Sequence, residues 1–192
     1  KKALDSFEVS GVVLPDAKPR PTLESVRELE RHVRAHRPDL LIAVGGGTIS
    51  DMVKKISLDA GVGNWCVPTC PSVDAYTSGT AAIWVRGYHT SLPSRGSEVV
   101  VCDLAVLESA PRELILSGLG DLLGKYLAHL DWNLSGMITG EPVCGELADI
   151  SLESAKRVFH SGARIAAGGE DSSMLLTDAL LTSGLVMQSV GS

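Results

Sequence analysis

The sequence predicts an α/β fold: a doubly wound parallel sheet over residues 1–110, followed by an all-α region over residues 111–192. Three observations carry this. Apolar strand-like runs alternate with helical periodicity in the first part of the chain. A glycine-rich turn joins one such run directly to a helix. No strand pattern is found from Glu113 onward.

The elements follow in order. Residues 9–14 (VSGVVL) read as a short strand closed by Pro15. Thr22 opens a helix on which Leu23, Val26, Leu29 and Val33 recur at near-helical spacing, with Glu and Arg opposite, and Pro38 ends it. Leu40-Leu41-Ile42-Ala43-Val44 is an unbroken apolar run, as expected of a strand covered on both faces. Gly45-Gly46-Gly47 leads into a helix with Ile49, Met52, Val53 and Ile56 on one face, stopped at Gly61. Residues 64–67 form the next strand, ending at Pro68. Residues 80–86 and 88–92 suit a hairpin around Gly87, and residues 98–102 a further strand. Helical patterns then cover 113–139, 143–168 and 170–190, with breaks near Gly140 and Gly168-Gly169. The boundary between the two regions therefore falls near Ser109–Pro111. Both ends read as cut, so the helical region is expected to be incomplete.

Composition narrows the functional classes. With 44% hydrophobic and 21% charged residues, the 192-residue chain can build a sizeable core. Its net charge of −6 lacks the basic footprint of a nucleic-acid binder. No run approaches the roughly eighteen uncharged apolar residues of a membrane span, and the N-terminus has no secretory apolar segment. Cys66, Cys70, Cys102 and Cys144 form no C-x-x-C pair. They read as reduced, buried thiols of a cytoplasmic protein.

Three motifs carry chemistry. In Gly45-Gly46-Gly47-Thr48-Ile49-Ser50-Asp51, a strand–helix turn lets backbone N–H groups approach a pyrophosphate, aided by the helix dipole. Asp51 would cap free N–H groups or hold the turn in shape. The plainer alternative is a tight turn that needs positive φ. The second motif, Pro68 to Thr80 (PTCPSVDAYTSGT), follows the next strand and so emerges at the same sheet edge. It is either a ligand loop or simply a polar one. In the third, Gly118-Leu119-Gly120-Asp121-Leu122-Leu123-Gly124-Lys125, an acid sits inside an apolar helix and needs a partner. That partner is either Lys125 in an i,i+4 salt bridge or a metal ion. His32 and His36 lie on a charged face, and His129 is about 12 Å along the helix from Asp121.

In this order the segments GGGTISD, PTCPSVDAYTSG, DLAVLESAPREL, GLGDLLGKY and LDWNLS resemble the sn-glycerol-1-phosphate dehydrogenases. These belong to a superfamily with the iron-type alcohol dehydrogenases, glycerol dehydrogenases and dehydroquinate synthases. The resemblance runs from about Gly11 to Ser192. It implies a Rossmann-like N-terminal domain, a helical domain and an active site in the cleft between them. By position, Gly46, Gly47, Thr48, Ile49, Ser50 and Asp51 would hold the pyrophosphate of NAD or NADP. Thr69, Cys70, Pro71 and Ser72 would line its adenosine and ribose side, and Ser78 would sit near the nicotinamide. Asp74 would contact the substrate. Asp121 would bind a divalent metal, zinc or nickel or else iron, and touch the substrate.

The implied reaction is reversible hydride transfer between NAD(P)H and dihydroxyacetone phosphate, a step in phospholipid metabolism. The implied partner is a small phosphorylated ketone or polyol, without nucleic acid or a membrane span, and a homo-oligomer is compatible with it. The family's two histidine metal ligands match none of the five histidines here. The 192 residues alone are therefore expected to be inactive. Rival readings are a glycerol or polyol dehydrogenase, a dehydroquinate synthase-like cyclase, and a nucleotide-binding module without activity.

Overall fold

The computed structural model describes residues 7–14, 19–167 and 172–190. Pro15 and the break at Gly168-Gly169 lie outside the described residues.

Helix α1 (Leu23–His36) begins where the sequence places it, because the Thr22 hydroxyl accepts the Ser25 N–H. Strand β1 (Leu40–Gly45) leads through the glycine turn into helix α2 (Gly47–Ala60), which ends at Gly61 in the left-handed region with φ 68°. Strand β2 (Gly63–Pro68) pairs parallel with β1, Leu40 opposite Gly63 and Gly45 opposite Pro68. Strands β3 (Thr80–Val85) and β4 (Tyr88–Pro93) form the expected hairpin. Its two turn residues, Arg86 and Gly87, both have positive φ, the geometry that suits right-twisted strands. Strand β5 (Val99–Val100) pairs parallel with β2, so the three-stranded sheet runs β1-β2-β5.

After a short helix α3 (Leu104–Glu108), long helices take over. They are α4 (Arg112–Thr139), α5 (Gly145–His160), α6 (Gly162–Ala167) and α7 (Ser172–Val190). Leu122, Ala155, Val158, Ile165, Leu176, Ala179 and Leu180 form their shared core. A second core lies under α1 and α2, where Val26, Met52 and Ile56 meet Ala81 and Ile83 of the hairpin. Helix α7 is long and apolar enough, by length and composition, to cross a membrane. Its apolar face is spent inside the helical core.

Four expectations need correction. Residues 9–14 are not a strand: Val9, Val12 and Val13 are exposed, and the segment has no strand partner among the described residues. Among the described residues, strand β1 is covered on one face, not two. Ala43 and Cys66 are buried beneath α2, while Ile42, Val44, Trp65 and Val99 remain exposed on the other face. An apolar run cannot by itself tell one covered face from two. The helix expected over 143–168 breaks at Ser161 into α5 and α6. Finally, of the four cysteines, all free, Cys144 is exposed.

The cysteines give a direct check on the core. Cys66 has no exposed surface, and burial pushes its thiol up to about 11. At pH 8 only roughly one in a thousand such thiols is ionised. Iodoacetamide should therefore label Cys144 in the folded protein, and Cys66 only as urea unfolds it. Equal labelling rates in the native state, read by peptide mass spectrometry, would contradict this packing.

Candidate active site

The parallel pairing of β1 and β2 brings their carboxyl ends side by side, and the Thr69 N–H donates to the Gly45 carbonyl at 3.1 Å. The glycine turn and the loop of residues 69–79 thus share one edge of the sheet, as the strand order predicts. Helix α2 starts at Gly46 without a side-chain cap, and α4 and α5 also lack one, whereas Thr22 caps α1 and Asp103 caps α3. The N–H groups of Gly47 and Thr48 have no carbonyl one turn back to accept them. They stand at the positive end of a 14-residue helix.

The three glycines have different reasons to be glycine. Gly45 has φ 154°, and a Cβ there would meet Ile49 Cγ1 at 2.7 Å. A Cβ on Gly47 would meet Val73 Cγ2 at 2.5 Å. Gly46 has ordinary extended geometry, and its Cβ would meet only Cys70 Sγ, at 3.3 Å. The tight-turn reading therefore fits Gly45, the room left for Val73 fits Gly47, and the open-approach reading fits Gly46.

Asp51 does not cap the helix. It sits beyond the first turn, its Oδ2 accepts the Ala82 N–H at 3.1 Å, and its Oδ1 lies 3.0 Å from Lys54 Nζ. Lys54 has no exposed surface. Its ammonium donates to the carbonyls of Ala75 and Thr80, both at 2.5 Å, and to Ser78 Oγ at 3.0 Å. Burial lowers the Lys54 pKa and raises that of Asp51, each opposed by the charge of the other. Ser78 is consequently part of the loop's backing, its hydroxyl turned toward Lys54.

Other expected residues also face inward. Ser50 is buried beside the Cys66 thiol, and Ile49 packs against the core. Cys70, Pro71 and Ser72 are buried, and the Tyr76 hydroxyl donates to the Cys70 carbonyl at 2.6 Å. Gly46, Gly47, Thr48 and Thr69 keep partial exposure.

The helical side closes the site. The Asp74 N–H donates to Asp121 Oδ2 at 2.8 Å. Asp74 Oδ2 accepts the Ser183 hydroxyl at 2.8 Å and lies 2.5 Å from Lys125 Nζ. Lys125 therefore pairs with Asp74, not with Asp121 one turn away on its own helix. Burial, and next the charge of Asp74, raise the Asp121 pKa; the Asp74 N–H bond and Lys125 oppose the rise. Thr77 Oγ1 donates to the Leu181 carbonyl at 2.8 Å. Two glycines admit the loop: a Cβ on Gly118 would run into the Pro71 carbonyl, and one on Gly184 into the Asp74 carbonyl and Thr77 Oγ1.

Asp121 fits a metal ion as one half-buried carboxylate ligand. Among the described residues no three His, Cys, Asp or Glu side chains gather into a metal set. His129 Nε2 is 3.0 Å from Asn133 Nδ2, so it is engaged elsewhere on α4. Lys54, Ser183 and Gly184 were not expected from the sequence. For Lys54 a signal exists: Ser50, Lys54 and Ser57 recur at i, i+4 and i+7, a polar stripe beside the apolar one. Ser183 and Gly184 sit in an apolar helix with no local mark of their role.

Comparison with known proteins gives a consistent picture. The family model for iron-containing alcohol dehydrogenases matches residues 1–111. A glycerol-1-phosphate dehydrogenase [NAD(P)+] of Pyrococcus furiosus is 34% identical over 188 residues, covering 98% of this chain and 53% of the relative. One from Bacillus subtilis is 32% identical over 186 residues, covering 95% of this chain and 47% of the relative. The chain thus spans about half the length of the curated relatives it matches. Among solved structures, a probable glycerol dehydrogenase from Sinorhizobium meliloti superposes with TM-score 0.79 at 22% identity, over 89% of this chain and 51% of that one. An iron-containing alcohol dehydrogenase from Thermotoga maritima superposes with TM-score 0.75 at 16% identity, over 97% and 55%. These two support the fold.

The buried pair under the loop can be tested by stability. Lys54→Met leaves the Asp51 carboxylate buried without its cation, which should cost about 3–5 kcal/mol. Asp51→Asn/Lys54→Met together should recover part of that loss. Urea titration is the measurement; a loss under about 1 kcal/mol for Lys54→Met would show that the pair behaves like a solvent-exposed one.

Proposed function

This chain belongs to the iron-containing alcohol dehydrogenase family, and we propose that it forms part of a glycerol-1-phosphate dehydrogenase. In this reading residues 1–110 are the Rossmann-like dinucleotide-binding domain and residues 111–192 the first part of the helical domain. The protein reduces dihydroxyacetone phosphate to sn-glycerol 1-phosphate with NAD(P)H. The observation that carries the reading is the uncapped N-terminus of α2 beside the 69–79 loop, whose Asp74 meets Asp121 and Lys125 of α4. The names of the curated relatives support the substrate, and the free cysteines suit a cytoplasmic enzyme.

The N–H groups of Gly47 and Thr48 receive the cofactor pyrophosphate, with Gly46 keeping the approach open. Thr69 borders the same edge. The buried residues Cys70, Pro71, Ser72 and Ser78 act from behind by fixing the loop's shape. Hydride passes from the dihydronicotinamide to the ketone carbon, and a proton is added to the ketone oxygen. Asp74 and Lys125 face the substrate from the loop and from α4. Asp121 supplies one ligand to a divalent ion (zinc, nickel or iron), with the remaining ligands drawn from outside the described residues. When bound, that ion provides Lewis acidity at the ketone oxygen.

Two substitutions in the full-length protein separate the parts of this reading. Gly46→Val should weaken NADH binding at least about tenfold in fluorescence titration, about 1.4 kcal/mol. Asp121→Ala should abolish turnover of dihydroxyacetone phosphate and lose bound metal, with NADH affinity kept within about threefold. Unchanged NADH affinity in the first, or full metal content and turnover in the second, would refute the corresponding assignment.

A further inference from the structure

We infer that Lys125 is the residue that receives the phosphoryl group of the substrate and so selects a phosphorylated over an unphosphorylated ketone. The inference rests on the proposed function and deepens it. An ammonium offers three N–H donors. At Lys125 one goes to Asp74 Oδ2 at 2.5 Å and another to the Met187 thioether sulfur at 3.4 Å. A thioether is a weak acceptor, so a phosphoryl oxygen is a better partner for that donor. The side chain is not fully buried, keeping 15% of its surface exposed. Lys54, the other lysine near the loop, has no exposed surface and is committed to Asp51 and the loop carbonyls.

Position and charge agree with this role. Lys125 follows Asp121 by one turn of α4, an advance of about 6 Å along the helix. A substrate whose ketone lies at Asp121 then extends its phosphoryl end along α4 toward Lys125. The ketone and phosphoryl groups of dihydroxyacetone phosphate are joined through one methylene and one ester oxygen, which suits so short a reach. Lys125 places a positive charge against the Asp74 carboxylate. Without that ammonium a doubly charged phosphoryl group arriving beside Asp74 would meet an unpaired carboxylate. A neutral polyol needs no such cation.

The test uses the full-length enzyme with Lys125→Met and Lys125→Arg, thermal melts confirming that each is folded. Expected for Lys125→Met is a fall in kcat/KM for dihydroxyacetone phosphate of at least about tenfold, mainly through KM. The loss for dihydroxyacetone should be several-fold smaller, so that the preference for the phosphorylated substrate falls, and Lys125→Arg should restore part of that preference. Independently of turnover, calorimetric titration of chelator-treated protein with sn-glycerol 1-phosphate should show about tenfold weaker binding in Lys125→Met. Glycerol should titrate alike in both proteins. Equal losses on both substrates would overturn the inference and make Lys125 a charge partner of Asp74 alone. Unchanged kinetics and unchanged glycerol-phosphate binding would overturn it too, with the phosphate held elsewhere. Should Lys125→Met fail to fold, Lys125→Arg carries the decision: an unchanged KM for the phosphorylated substrate would count against direct contact. Failure of the underlying function looks different, as a wild-type enzyme that turns over neither ketone with NADH or NADPH.

Discussion

An ammonium group taken wholly out of water must find acceptors for its donors, and the acceptors that Lys54 finds determine the form of the site. They are the Asp51 carboxylate on its own helix, the carbonyls of Ala75 and Thr80, and the Ser78 hydroxyl. Satisfying them draws the loop down onto α2 and sets where the hairpin begins. The loop's opposite side is thereby offered to the helices, where Asp74 meets Asp121, Lys125 and Ser183, and Thr77 meets Leu181. The desolvation cost of the buried ammonium is offset by its ion pair and hydrogen bonds, and those same bonds order a stretch of backbone. That stretch has no strand or helix of its own to hold it.

Much of this was legible in the sequence, and the reasons differ by element. Helix α1 was readable because Thr22, the Leu23–Val26–Leu29–Val33 stripe and Pro38 state the same boundaries independently. The hairpin was readable because Gly87 falls where the twist demands positive φ. The failures have one source, which is that local pattern does not report what lies across from it. Residues 9–14 have the composition of a strand but no partner to pair with among the described residues. The run at 40–44 is apolar on both faces, yet only one is covered among the described residues. The short helix α3 was passed over, although Asp103 accepts the N–H groups of Ala105 and Val106 as an N-cap does.

For the site the division is similar. The glycine turn and Asp121 stood out because each lies in a motif with a chemical reason for its residue types, whereas the 69–79 loop was equally readable as a polar loop and Asp74 was singled out only by the family resemblance. What the sequence did not reveal was pairing. Asp121 and Lys125 are spaced as an ion pair, but Lys125 reaches Asp74 instead, because the loop carries that carboxylate to the same face of α4. Nor could spacing distinguish Gly46, which leaves an approach open, from Gly45 and Gly47, which avoid collisions with Ile49 and Val73. Gly118 and Gly184 belong to this second kind, seats for the loop's own carbonyls on two helices.

The loop's bonds also differ in how far they reach along the chain. Lys54 is 21 residues from Ala75 and 26 from Thr80. Thr77 and Leu181 are separated by 104 residues, and Asp74 and Ser183 by 109. During synthesis at about 5–20 residues per second, the α7 partners follow the loop off the ribosome by roughly 5–20 s. The acceptors of Lys54 emerge within a few seconds of it. All the partners of Lys54 are thus made before any of the helices that close over the loop, and the α7 contacts are the last of the loop's bonds whose partners are made.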